Sequence, residues 1–141
     1  LGPRGHRVLA GRDRAEGTGR MSVFKPLAAI APLPIWQGVL ARAVEGKEIT
    51  FGVIELDAHA VVAEHRHPTE QVGIVLSGTL TFTVGGEKQD LRAGDTYVIP
   101  ANVPHDAVAG PEGTVVIDVF APPRADWTRF VAVAPATPRW P

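Results

Sequence analysis

His65-Arg66-His67-Pro68-Thr69-Glu70-Gln71 places two imidazoles two residues apart, with a carboxylate and an amide just behind them. Residues i and i+2 of an extended strand face the same way. His65 and His67 can therefore aim at one atom, as a metal site requires. A third imidazole, His105, ends the segment Pro100-Ala101-Asn102-Val103-Pro104-His105. The fourth ligand is Gln71 or its neighbour Glu70. Strand alternation favours Gln71, which shares the parity of His65 and His67, although a bulge near Pro68 would invert that order. His59 has the same parity but precedes the segment and reads as a surface or turn residue.

The chain has no cysteine, so any metal must be held by nitrogen and oxygen. Nitrogen-rich ligation suits one divalent transition ion (iron, manganese, nickel, zinc or copper) and not calcium. Three neutral imidazoles and an amide leave such an ion its full charge. A glutamate would offset one unit of it. A site of this kind polarises bound oxygen strongly and attracts anions.

The elements that must position these residues are short strands. Glycine (15) and proline (13) punctuate the 141 residues at close intervals. Strands are expected over residues 39–44, 49–56, 72–76, 79–84, 96–99 and 115–120, with turns at Ser77-Gly78, Gly85-Gly86 and Arg92-Ala93-Gly94-Asp95. Residues 126–131 form one turn or a terminal strand. This spacing predicts an all-β antiparallel sandwich or barrel in one domain, residues 21–141. Residues 1–20 carry five arginines, two acids and five glycines without apolar periodicity. They are expected to be a disordered, non-native leader, with Met21 as the natural start. The net charge of −1 gives no reason to expect nucleic acid as a partner. No apolar run approaches the roughly 20 residues that span a bilayer, and with no export signal visible the cytoplasm is the expected compartment.

The two histidine segments resemble the paired motifs of the cupin superfamily, small jelly-roll β-barrels. His65, His67, Gln71 and Gly78 follow the first motif, with Gln71 at the position usually held by glutamate and His59 at that of an opening glycine. Gly94, Pro100, Asn102 and His105 follow the second, with Asn102 replacing a glycine. The resemblance spans about residues 39–124. It implies a jelly-roll fold and one metal bound by His65, His67, Gln71 and His105. It also implies a homodimer, and the apolar, proline-rich segment from Phe24 to Trp36 is the expected strap across a neighbour.

Asp118 interrupts the β-branched run Val115-Val116-Ile117-Asp118-Val119-Phe120, and Arg124 follows Pro122-Pro123. A buried carboxylate is costly unless it is paired or hydrogen-bonded. The stretch resembles the Asp-x-Phe-x-Pro-Pro-Arg segment of small cupins of the KdgF type, which open the ring of unsaturated uronates. That resemblance implies that Asp118 handles protons, Arg124 grips a sugar carboxylate and Phe120 shapes the pocket. The structural alternative is an Asp118–Arg124 ion pair with Phe120 in the core. Tyr97, Trp36, Trp127 and Trp140 read as packing or interface residues. The leading expectation is a metalloenzyme acting on a small anionic sugar acid by Lewis-acid polarisation. The alternatives are a metal-dependent dioxygenase and a non-catalytic ligand-binding or sensor cupin.

Overall fold

A computed structural model describes residues 22–141. The expectations for residues 1–20 and Met21 lie outside the described residues. Eight strands form the molecule: β1 (Leu33–Trp36), β2 (Val39–Glu45), β3 (Thr50–Leu56), β4 (Val61–His65), β5 (Glu70–Val84), β6 (Glu87–Arg92), β7 (Thr96–Ile99) and β8 (His105–Ala121). The hydrogen-bonded order is β1-β2-β3-β8-β5-β6, with β4 added to β8 and β7 to β5, and each pairing is antiparallel. Single-turn 3₁₀ segments lie at Leu27–Ala29 and Ala125–Arg129, the latter where a turn or terminal strand is expected. Among the described residues no helix is long and apolar enough to cross a membrane.

The two long strands make the barrel. Residues 70–78 of β5 pair with residues 114–121 of β8, and residues 80–84 pair with residues 105–109. Between these stretches both strands bend, at Gly78 (φ 74°) and Gly113 (φ 77°). A Cβ on Gly78 would collide with the Gly113 carbonyl oxygen, so the crossing requires glycine. One layer is thus β1-β2-β3-β8-β5-β7, and the other is β4-β8-β5-β6. The core between them holds Val39, Ile54, Leu56, Val75, Leu80, Phe82, Ile99, Val116 and Phe120. The fold is the expected all-β jelly-roll barrel.

Five strands depart from the sequence expectation, among them β1 and β4, which lie outside the expected runs. β6 reads Glu-Lys-Gln-Asp-Leu-Arg and is largely exposed, so its outward face carries no apolar signal. The first half of β8, which passes through Gly110-Pro111, lies outside the expected strand at 115–120. The separately expected strands 72–76 and 79–84 are one strand bent at Gly78.

Candidate metal centre

His65 ends β4 and His105 begins β8, and the register sets them directly opposite each other. His67 lies two residues past His65 on the loop into β5, where its carbonyl accepts a 2.8 Å hydrogen bond from the Asn102 N–H. Asn102 has φ 62° and makes that turn possible without glycine. Ring centroids stand 4.3 Å apart for His65–His105, 4.8 Å for His67–His105 and 5.7 Å for His65–His67. One nitrogen from each ring lies within 4.8 Å of the others, so the three could hold a metal ion.

The tautomers follow from the partners. Nδ1 of His65 faces the Ala63 carbonyl at 2.8 Å, that of His67 the Thr69 carbonyl at 2.9 Å, and that of His105 the Val103 carbonyl at 2.9 Å. A carbonyl only accepts, so Nδ1 of His65 and of His105 carries the proton and their Nε2 keeps a lone pair, while Nδ1 of His67 also meets the Thr69 hydroxyl at 2.8 Å. Burial lowers the pKa of His105 to about 4 and also lowers that of His67, with Arg124 and the other rings adding to the effect. These two rings therefore stay neutral, as ligands must.

Gln71 is buried at 6% exposure on the inward face of β5, and Glu70 is exposed on the other. The Gln71 amide hydrogen-bonds Asp118, which accepts, so its Oε1 is left to face His67 Nε2 at 3.1 Å. The three clustered imidazoles and this amide oxygen make a donor set that fits a nitrogen- and oxygen-bound divalent ion. His59 sits apart, exposed in a turn with φ 61°.

Asp118 is buried and points into the same cavity. Its neighbours across both adjoining strands are glycines, Gly52 on β3 and Gly73 on β5. The space above Gly73 is filled by Tyr97, whose hydroxyl donates to Asp118. A Cβ on Gly73 would run into both groups. Burial raises the pKa of Asp118 to about 6, against the opposing hydrogen bonds from Tyr97 and Gln71 and the charge of Arg124. Burial, with Asp118 adding to it, raises that of Tyr97, which stays protonated as a donor.

The possible Asp118–Arg124 ion pair is not formed. Arg124 instead meets Asp126 through Nε at 2.9 Å and Nη2 at 2.8 Å. Its guanidinium lies 4.8 Å from the Phe120 ring centroid and 4.9 Å from that of Trp127. The turn at Pro122-Pro123 carries it to the cavity mouth, away from hydrogen-bonding range of Asp118. Phe120 is buried and also packs edge-on against His67, so it belongs to both core and cavity wall.

Two residues belong to the site that the sequence reading set aside. Tyr97 reads as packing but bonds Asp118, and Trp36 has its ring 5.2 Å from that of His65. The available signal for Tyr97 was Gly73, an isolated glycine inside an apolar strand, which marks a close approach.

The cavity has a volume of about 70 Å³ and is walled by Ile54, Leu80, Phe82, Val116 and Phe120, with His65, His105, Gln71, Tyr97, Asp118 and Arg124 among its polar groups. It adjoins a larger groove of about 380 Å³ lined by Trp36, His65, Arg66, His67, Arg124 and Arg129.

The Cupin domain family profile matches residues 52–120. Over 69 residues the chain is 38% identical to the pectin degradation protein KdgF of Dickeya dadantii, covering 48% of this chain and 63% of that one. Over 67 residues it is 31% identical to the dimethylsulfoniopropionate lyase DddW of Ruegeria pomeroyi, covering 48% and 44%. The matched stretch is thus less than two thirds of either relative's own length. Among solved structures, an RmlC-like cupin from Shewanella frigidimarina superposes with a TM-score of 0.70 at 30% identity, covering 76% of this chain and 96% of that one. KdgF from a Halomonas species gives 0.69 at 29% identity, covering 75% and 98%. With its barrel, its histidine cluster and these likenesses, the chain belongs to the cupin family and is similar to KdgF within it.

Proposed function

We propose that this cupin is a metal-dependent enzyme that opens the ring of a small unsaturated uronate, with His65, His67, Gln71 and His105 as ligands. The observation that carries the reading is a cluster of three imidazoles at a cavity that also holds a buried carboxyl with its pKa raised to about 6 and a guanidinium at its mouth. Likeness to KdgF supports the same substrate class.

Ring opening is an isomerisation. The hemiacetal hydroxyl gives up a proton and the bond from its carbon to the ring oxygen breaks. An aldehyde and an enolate result, and the enolate becomes a ketone when its carbon takes a proton. Asp118 is the group to accept the first proton and return the second, because a carboxyl near pKa 6 serves both directions close to neutral pH. Tyr97 and Gln71 fix its orientation. A bound divalent ion would supply Lewis-acid polarisation of the sugar oxygens.

Arg124 has five N–H donors and Asp126 engages two of its nitrogens, which leaves donors for the substrate carboxylate. Phe120 and Trp127 hold the guanidinium plane. A 70 Å³ cavity takes about two water volumes, so the sugar body rests in the outer groove and only its reacting end enters.

The test follows the ultraviolet band of an unsaturated uronate. Asp118→Asn is expected to lower kcat by about 100-fold or more, and Arg124→Ala to raise KM with a smaller change in kcat. Unchanged rates in both variants would remove the assignment. Oxygen consumption by the iron-loaded protein with candidate diketones, in place of band loss, would favour the dioxygenase alternative.

A further inference from the structure

Arg124 is the inner of three guanidinium groups at the site. It lines both the cavity and the outer groove, whereas Arg66 and Arg129 line the groove alone. Arg66 lies on the loop between His65 and His67. Arg129 ends the single turn Ala125–Arg129, with its guanidinium 4.9 Å from the Phe130 ring centroid. Against these three cations the groove sets one carboxylate, that of Asp126.

Arg124 takes that carboxylate. Its hydrogen bonds hold the Asp126 carboxyl below its ordinary value against partial burial, and the charge of Arg129 adds a smaller pull in the same direction. Among the described residues neither Arg66 nor Arg129 has a carboxylate within ion-pair distance. Their placement runs against the composition of the domain. Residues 22–141 hold nine lysines and arginines against thirteen acids. A groove with three of those nine cations and one of those acids is a local reversal of sign. A recess of one sign with apolar walls, here Trp36, Trp127 and Phe130, concentrates the opposite charge.

Ring geometry sets where a second charge on the substrate falls. In a hexuronate the bond that opens, between C1 and the ring oxygen, lies on the same edge as C5 and its carboxylate. C2 and C3 form the opposite edge. With the opening edge at Asp118 and the carboxylate on Arg124, C2 and C3 face the groove that Arg66 and Arg129 line. Both carbons bear hydroxyls, which gain a charge as sulfate or phosphate esters.

We propose that Arg66 and Arg129 bind a sulfate or phosphate ester on C2 or C3 of the uronate and so select a dianionic sugar acid over the plain one. The identity of the sugar rests on the ring-opening reading, and the anion site does not. A guanidinium fork matches two oxygens of a tetrahedral ester, and neither arginine gives up an ion pair to bind it.

The test compares a 4,5-unsaturated hexuronate with its sulfate and phosphate monoesters at C2 and at C3. Loss of the ultraviolet band is followed with metal-loaded protein at about 0.15 M salt, where distant charges are screened. Wild type is expected to show a KM at least about tenfold lower for one of the esters than for the plain uronate, and that ester identifies the group. Arg66→Gln and Arg129→Gln, both at exposed positions, are each expected to shrink this ratio at least about fivefold. Arg124→Ala is expected to raise KM for plain and esterified forms alike. Equal KM for plain and esterified uronates overturns the proposal, and so does a ratio that the two glutamine variants leave as it is. Titration with inorganic sulfate and inorganic phosphate reads the anion site without turnover. The double variant Arg66→Gln/Arg129→Gln is expected to bind these anions at least about tenfold more weakly than wild type, and equal binding overturns the site. A wild type that turns over no uronate yet binds the anions through these arginines overturns the ring-opening reading and keeps the anion site. One that turns over the plain uronate and makes no use of the two arginines does the reverse.

Discussion

The position of Gln71 sets the charge of the centre. Its amide nitrogen is committed to Asp118 and its oxygen faces His67, so the side chain links the candidate ligands to the candidate acid–base group. With an amide there, a divalent ion in the imidazole cluster would keep both positive charges. Gln71→Glu offsets one of them at similar size. The variant is expected to bind zinc or manganese at least about tenfold more tightly, since a charged oxygen replaces a neutral one. It is also expected to raise KM for an anionic uronate, and it turns the bond with Asp118 into a repulsion between carboxylates. Chelator competition reads the first effect and steady-state kinetics the second. Equal metal affinity in both proteins would place residue 71 outside the ligand set.

At the level of the strand, Asp118 can be buried because β8 runs between two glycines. Gly52 and Gly73 leave space on either side, and Tyr97 from β7 fills the second. Gly73→Ala places a Cβ against Asp118 and the Tyr97 ring. It is expected to cost about 1–3 kcal/mol in urea unfolding, the range for overpacking a close-packed interior. The double variant Gly73→Ala/Tyr97→Phe, which removes one of the colliding oxygens, is expected to lose less than the sum of the single losses. Strict additivity would show that the glycine serves the backbone and not the Asp118–Tyr97 contact. The sequence carried part of this arrangement. The runs at 39–44, 49–56 and 96–99 coincide closely with β2, β3 and β7 because their apolar and β-branched residues face a core. Gln71 and Glu70 separate by simple alternation. Tyr97 was not legible, because its partner Asp118 lies 21 residues away and only the β5–β7–β8 register brings them together. Nor was the Arg42–Glu55 pair, since two charges buried by a chain tail look like two surface charges until the tail is placed.

For the whole molecule, the buried groups of the site pull stability in opposite directions as pH falls. Burial holds His105 down to about 4, against 6.5 for the free side chain. Between those values the unfolded chain takes a proton that the folded chain refuses, so acid erodes stability through this window. Asp118 works the other way. It is held at about 6, against 3.8 when free, so between pH 6 and 3.8 the folded chain takes the proton that the unfolded chain refuses. Its contribution is therefore greatest in acid and disappears as pH rises through 6, a difference of roughly 3 kcal/mol. In chelator-treated protein the two terms offset, and Tm is expected to fall only gently from pH 7 to 4.5. Asp118→Asn removes the favourable term, so its Tm is expected to drop more steeply over the same interval. His105→Ala removes the unfavourable one and is expected to flatten or reverse the slope. Adding metal stabilises only the folded state, and it does so less as pH falls, because protons compete for the same nitrogens. The gap in Tm between metal-loaded and stripped wild type should therefore narrow from pH 7 toward 5. A gap that stays constant would mean that the ion is held by groups other than these imidazoles.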